Sequence, residues 1–314
     1  MINFEMAREE YDLIVVGAGP AGLSAALTAS YFKLKTLVIE SCHAGGALMN
    51  QYPWKIVENY LGFKNMEGAE VAERMVEHVK SEGAMIVENE NVTEIERRGE
   101  SITVRTDKNN YQTKSVIIAI GHSIPRKLEI DGENLKGVIY SVPKPREFKG
   151  KEILVVGGGD TALECALALH KNRVKVTIAH RRDTFRASDE NVQKVKNVGI
   201  EILWNTEVRT IEGNERVESV ELINNETNET TKRKFEVVVP CIGTRSNADF
   251  LKSLGVMLDD RDNIVINEKA MTSVEGIFAA GDVVGRWKRI PEAIGEGGYA
   301  AINAFKYVKK PYWR

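Results

Sequence analysis

The sequence predicts an α/β protein built on two βαβ units, and three observations carry that expectation. First, DLIVVGAGPAGLSAALTASYFKLKTLVIE (12–40) and EILVVGGGDTALECALALHKNRVKVTIAH (152–180) are alike. Gly17 aligns with Gly157, Gly19 with Gly159 and Gly22 with Ala162, a constant offset of 140 residues. Second, each copy reads as an apolar strand, a glycine turn, a helix that opens on small residues, and another apolar strand. Third, further short apolar runs end in glycine turns: VIIAIGH (116–122), VVVPCIGTRSN (237–247) and TSVEGIFAAGDVVG (272–285).

Length and composition agree with this class. The 314 residues suffice for two domains. A hydrophobic content of 43% with 28% charged residues is the profile of a soluble globular protein. A net charge of −2 gives no argument for nucleic acid or a membrane surface. The apolar runs fall well short of the roughly 20 residues of a membrane span. MINFEMAREEYD at the N-terminus is polar and acidic, unlike a signal peptide. Cys42, Cys165 and Cys241 are far apart in sequence and form no C-x-x-C, so a reducing, cytoplasmic setting is expected.

In chain order, the first glycine of each copy allows the tight turn out of the strand. The second lets a pyrophosphate approach the backbone, and the third residue lets helix and strand pack closely. Free N–H groups and the helix dipole then favour the phosphate charge. The copies diverge eighteen residues later. Glu40 ends the first unit, and an acid there accepts hydrogen bonds from ribose hydroxyls, which suits FAD or NAD. His180 ends the second, followed by Arg181, Arg182 and Arg186 in HRRDTFRAS. Arginine forks match phosphate oxygens, so this copy suits the 2′-phosphate of NADP. At the end of the last apolar run, Asp282 can hold a polyol hydroxyl. These are two Rossmann-like dinucleotide-binding domains.

Together, GAGPAG, VENYLGF, GGGDTA, HRRDTFRA and GIFAAGD resemble the two-dinucleotide-binding flavoproteins, and more closely the low-molecular-weight thioredoxin reductase family. The resemblance runs from about Asp12 to Val308. It implies three-layer ββα domains, with an NADP domain at 123–246 inserted in a discontinuous FAD domain at 1–122 and 247–314. IPRK (124–127) and TRSN (244–247) are the implied linkers. For FAD it implies Gly17, Ala18, Gly19, Pro20, Ala21 and Gly22, then Glu40 and Ser41, then Gly45, Gly46, Ala47 and Leu48. Asn59, Val92, Gly121, Gly281 and Asp282 follow, with Glu292 and Ala293 on a final helix whose N-terminus faces the flavin. For NADPH it implies Gly157, Gly158, Gly159, Asp160, Thr161 and Ala162, then His180, Arg181, Arg182 and Arg186, then Ile242 and Gly243.

Thioredoxin reductases carry a C-x-x-C pair just upstream of GGGD. Here that place reads YSVPKPREF, and Ser141, Pro143 and Lys144 cannot form a disulfide. The three cysteines are expected in separate settings, two of them buried and inert. A second branch of the family, the thioredoxin-reductase-like ferredoxin/flavodoxin–NADP+ reductases, lacks the pair. PRKLE (125–129) is similar to that branch, and so is the Tyr140–Gly150 spacing, one residue shorter than in dithiol enzymes. NQYPWK (50–55) makes Tyr52 the candidate for stacking on the flavin. That branch extends past its last helix; here KYVKKPYWR is short, and Tyr312 and Trp313 are expected to pack on their own domain.

The implied activity is hydride transfer from NADPH to FAD, then single electrons to ferredoxin or flavodoxin. No side chain is required as acid, base or nucleophile, and no metal-ligand spacing occurs. Lys144, Arg146, Lys149 and Lys151 form either a basic rim for an acidic carrier or an ordinary solvated loop. Two other readings stay open: a thioredoxin-reductase-like enzyme using an external dithiol carrier, and a flavin-binding redox sensor or complex subunit. A homodimer is the family's usual assembly.

Overall fold

The structure is a computed structural model that describes residues 10–122, 124–245 and 247–312. The chain separates into two compact units, one of Met1–Ile124 with Arg245–Arg314 and the other of Pro125–Thr244. The two connections, Ile124–Pro125 and Thr244–Arg245, form one two-stranded ladder.

The first segment begins with β1 (Leu13–Val16), four aliphatic residues buried on both faces, as in a parallel strand covered on two sides. Pro20 then opens α1 (Pro20–Tyr31), at a position where a missing N–H costs nothing. β2 (Thr36–Ile39), α2 (Gly68–Ser81) and β3 (Met85–Val87) follow. An antiparallel meander, β4 (Val92–Arg98), β5 (Ser101–Thr106) and β6 (Asn110–Thr113), leads back into β7 (Val116–Ile118).

The second unit repeats the plan. β8 (Glu152–Val156), α3 (Asp160–Lys171) and β9 (Lys175–Ala179) form the βαβ core. α4 (Asp189–Val198) starts at Ser188, whose side chain accepts the Asn191 N–H. β10 (Glu201–Leu203) completes that edge. β11 (Thr206–Glu212), β12 (Ser219–Asn224) and β13 (Thr230–Lys234) form an antiparallel sheet, and β14 (Val237–Pro240) returns to the parallel one. The parallel order is β10-β9-β8-β14.

The last segment returns to the first unit with β15 (Ile277–Ala279) and α5 (Ile290–Lys309). The parallel sheet there runs β15-β7-β1-β2-β3. Strand alternation sorts its side chains into two cores. Leu13, Val15, Val38, Ile117 and Phe278 pack on the alanines of α1 and α5. Ile14, Val16, Leu37, Ile118 and Ile277 pack on Ile95, Ile102 and Val104 of the meander. The second unit is sorted in the same way, with helices on one face of its parallel sheet and the antiparallel sheet on the other. Each unit is therefore the three-layer ββα sandwich that the sequence predicts.

In both sheets the strand order reverses beside the first strand, between β1 and β7 and between β8 and β14. Ligands of open α/β sheets bind in the crevice outside the carboxyl ends of the strands at such a point. Both glycine turns stand there. No helix among the described residues is long and apolar enough to cross a membrane. One expectation fails: Tyr312 is fully exposed rather than packed on its domain. Trp313 lies outside the described residues.

Candidate functional site

The first glycine turn is built by close backbone approach. Gly17 has φ +100°, and a Cβ on it would stand 2.5 Å from the Ala119 carbonyl oxygen. A Cβ on Gly22 would stand 1.9 Å from the Gly17 oxygen. Gly46, at φ +61°, comes so near the turn that a Cβ would sit 2.7 Å from Gly19 Cα. The Gly45 N–H donates to the Ala18 carbonyl at 2.8 Å, so the Gly45–Leu48 segment folds over the turn. Ala47 is exposed and Leu48 half-buried, which leaves backbone and small side chains along its edge.

Glu40 is 8% exposed and ties three of these pieces together. Its carboxylate accepts from the Ala18 N–H at 2.7 Å, the Cys42 N–H at 3.0 Å and the Ser41 hydroxyl at 3.2 Å. A cleft of about 780 Å³ lined by His43, Ala44, Met49 and Glu88 opens beside this loop.

Gly281 and Asp282 join the turn from the end of β15. A Cβ on Gly281 would lie 2.8 Å from the Ala21 Cβ and 3.9 Å from the Ala293 Cβ. The Gly281 N–H donates to Glu296 at 2.8 Å. Burial raises the Asp282 carboxyl above its ordinary pKa, against the attraction of Lys288. Burial also raises Glu296, against its bond from Gly281 and the charge of Arg286. Glu292, in the first turn of α5, is bonded to Arg289 through Oε1, while its Oε2 is buried without a hydrogen-bond partner. A buried acceptor in that state fits a ligand that brings an N–H or O–H. Hydroxyls and a ring imide of FAD are such groups.

The structure therefore gathers Gly17–Gly22, Glu40, Ser41, Gly45–Leu48, Gly281, Asp282 and Ala293. Gly121, at φ +62°, follows the neighbouring strand β7. Val92 turns its side chain into the core between the sheets, so only its main chain can face a ligand. Asn59 is exposed on a turn where the Tyr60 and Phe63 rings stack at 4.5 Å. Tyr52 is half-buried, edge-on to Trp54 at 6.4 Å.

Sequence reasoning passes over Glu296, which closes on Gly281. Its signal is a charge among the glycines of EAIGEGG, where the helix runs close to another backbone. A Cβ on Gly297 would indeed lie 2.0 Å from the Ala21 oxygen.

The second turn interlocks with the HRRDTFR loop. A Cβ on Gly158 would strike the His180 ring at 2.3 Å. The Arg186 N–H donates to the Gly158 carbonyl at 2.8 Å, and its guanidinium reaches 3.8 Å from a Cβ on Gly159. His180 contacts the Thr184 carbonyl through Nε2 at 2.9 Å. Burial lowers its pKa, with the Thr184 bond opposing and Arg182, Arg181 and Arg186 adding repulsion. It is a neutral, structural ring.

Asp160 is taken up by the Ser188 N–H at 2.9 Å and the Asn191 amide at 2.8 Å. Thr161 is exposed beside it, and Ala162 is buried under the turn. Arg181 and Arg182 are exposed, and none of the three arginines is ion-paired with a described carboxylate. Ile242 and Gly243, the latter at φ +103°, follow β14 at the same edge. Free guanidinium groups around a glycine turn suit a phosphate-bearing ligand.

The cysteines correct one expectation. Cys165 of α3 and Cys241 after β14 are not in separate settings, because their thiols are hydrogen-bonded to each other. The cause is topological: β14 pairs with β8 in parallel, so its end arrives beside the turn from which α3 rises. Among the described residues no group of His, Cys, Asp or Glu could hold a metal ion.

The profile of the pyridine nucleotide-disulphide oxidoreductases matches residues 11–297. The chain is 36% identical over 305 residues to a ferredoxin–NADP reductase of Ignicoccus hospitalis, covering 96% of this chain and 99% of that one. It is 37% identical over 307 residues to the thioredoxin reductase of Bacillus subtilis, covering 96% and 95%. The crystal structure of thioredoxin reductase from Lactococcus lactis superposes with a TM-score of 0.88 at 35% identity, over 96% of this chain and all of that one. The chain therefore belongs to the pyridine nucleotide-disulphide oxidoreductase family and is a FAD-dependent NAD(P)H oxidoreductase.

Proposed function

We propose that this enzyme takes electrons from NADPH and delivers them to a small one-electron protein carrier, a ferredoxin or flavodoxin. The observation that carries the reading is the segment Ser141–Lys144, which holds no thiol at the place of the dithiol in thioredoxin reductases. It is built as a structural connection instead. Val142 is buried in the core of the second unit, and Lys144 pairs with Glu147 at 3.6 Å. Just before it, Glu133 accepts from the Tyr140 hydroxyl and from the Leu128 and Glu129 N–H groups.

The first unit, residues 1–122 and 247–314, is assigned to FAD, and residues 123–246 to NADPH. FAD, when bound, accepts hydride from the nicotinamide and releases electrons one at a time. The chain's part is to bind and orient. Glu40 takes the ribose hydroxyls, and Asp282, with Glu292, presents acceptors at the start of α5. Tyr52 is the aromatic assigned to the flavin ring. Arg146, Lys149, Lys171 and Arg173 line a small cleft of about 260 Å³ on the second unit. A basic patch of this kind speeds encounter with an acidic carrier.

Glu40→Ala removes the acceptor of two backbone N–H groups and of the ribose. At about 1–3 kcal/mol for stranded buried donors, FAD should bind roughly 10- to 100-fold more weakly. Titration of apoprotein with FAD measures this.

The function itself is tested with an acceptor panel. NADPH-driven cytochrome c reduction should rise at least about tenfold on adding ferredoxin or flavodoxin from the same source, each factor of ten being about 1.4 kcal/mol of barrier. No stimulation by either carrier refutes the proposal. Reduction of a thioredoxin-like disulfide that is lost when the cysteines are replaced would instead select the external-dithiol reading.

A further inference from the structure

Cys165 is 4% exposed within α3, and Cys241 is half-buried just after β14. Both are free thiols, packed in one cluster with Ile153, Leu163 and Val239 and hydrogen-bonded to each other. Cys42 is exposed and belongs to the other unit. The pair is fastened to the second glycine turn. The Cys241 N–H donates to the Val156 carbonyl at 2.7 Å. Its own carbonyl lies where a Cβ on Gly157 would be 2.4 Å away. Ile242 and Gly243 follow directly.

We propose that Cys165 and Cys241 form a peroxide-oxidisable dithiol whose disulfide loosens the nicotinamide-nucleotide site of the second unit. The part of this that concerns nucleotide binding rests on the assignment of NADPH to that unit. Cys241, the more accessible sulfur, attacks a peroxide oxygen as thiolate. The O–O bond breaks, Cys241 becomes a sulfenic acid, and the leaving hydroxide takes the proton that the thiol gave up. The Cys165 sulfur then attacks the sulfenic sulfur. An S–S bond forms, the S–O bond breaks, and hydroxide leaves with the Cys165 proton as water. Two thiols lose two electrons and two protons, and hydrogen peroxide becomes two waters.

The division of roles follows from position. The bond from Cys241, together with burial, holds the Cys165 thiol well above its usual pKa, so it stays protonated until its attack. Closing the bond draws the sulfurs from hydrogen-bond contact to about 2.05 Å. Cys241 must then move toward α3, yet its backbone already lies against Gly157. The slack has to come from the turn that carries the phosphate-binding N–H groups.

The test uses FAD-loaded enzyme, freed of reductant and treated with a few equivalents of hydrogen peroxide. Free thiols are then alkylated under denaturing conditions and the digest is mapped. The expected product is one linked peptide pair carrying Cys165 and Cys241, lighter by two hydrogens, reversed by dithiothreitol and absent from Cys165→Ser and Cys241→Ser. NADPH titration of the oxidised wild type should show a dissociation constant raised about tenfold, and peroxide should leave that of Cys165→Ser unmoved.

Full alkylation of both cysteines after peroxide refutes the dithiol. So does Cys241 carried to sulfinic acid with Cys165 untouched. A linked pair with unchanged NADPH affinity refutes the effect on the site. Failure of the reduced enzyme to bind NADPH at all would refute the cofactor assignment instead, and the peptide map would still decide the disulfide.

Discussion

Gly22→Val should yield a protein that purifies without flavin. A Cβ at position 22 falls 1.9 Å from the Gly17 oxygen and 3.0 Å from the Gly17 carbonyl carbon, so the obstacle is backbone. Neither partner can yield. Gly17 is held at φ +100° by a bond from its N–H to the Ile39 carbonyl at 2.8 Å, with the Ala119 oxygen behind it. α1 cannot slide away because α5 crosses it at Gly297, with no room for a Cβ against Ala21. Overpacking commonly costs about 1–3 kcal/mol, and a backbone jam in a turn that must accept a pyrophosphate lies at or above the top of that range. Flavin content, read as the ratio of visible to ultraviolet absorbance, should fall to about a tenth of wild type or less, since about 1.4 kcal/mol is a factor of ten. Ala162→Gly is the control. The same position of the second unit already carries a Cβ, 3.2 Å from where one on Gly157 would sit, so flavin content should not change. A yellow Gly22→Val protein at wild-type stoichiometry would overturn the assignment of this turn to FAD.

Sequence reveals the parts of this architecture that local chemistry dictates. The two glycine turns were legible because only glycine tolerates the positive φ at Gly17 and Gly157 and the contact at Gly22. The ββα layering was legible because β1, β2, β8 and β9 are aliphatic on both faces while the meander strands alternate. What stayed hidden depends on which distant segments meet. Glu296 reaches Gly281 because α5 crosses α1 on small residues, and nothing in either segment alone says so. Cys165 and Cys241 meet because β14 is placed by the sheet order, not by its neighbours in sequence. Arg186 appeared equivalent to Arg181 and Arg182 in HRRDTFR, yet its backbone bond to Gly158 brings its guanidinium to the turn itself.

That distinction among the arginines sets the second large effect. Arg181→Ala with Arg182→Ala should raise the KM for NADPH about 100-fold or more, because each charge-assisted bond lost is worth about 1.5–3 kcal/mol. At saturating NADPH, kcat should be retained, since the contact is made equally in the ground and transition states. The KM for NADH should move little, because NADH lacks the 2′-phosphate that these exposed side chains are assigned to hold. Arg186→Ala should behave differently. Its guanidinium lies by Gly159 at the start of α3, where a pyrophosphate common to both nucleotides would sit, so both KM values should rise together. His180→Asn gives the third comparison. The ring is neutral and fills the space above Gly158, so its loss should loosen the turn and weaken both nucleotides without changing the preference between them. The ratio of kcat/KM for NADPH over NADH therefore isolates Arg181 and Arg182 from their neighbours. A double variant that keeps its preference for NADPH would show that the 2′-phosphate is held elsewhere in the loop.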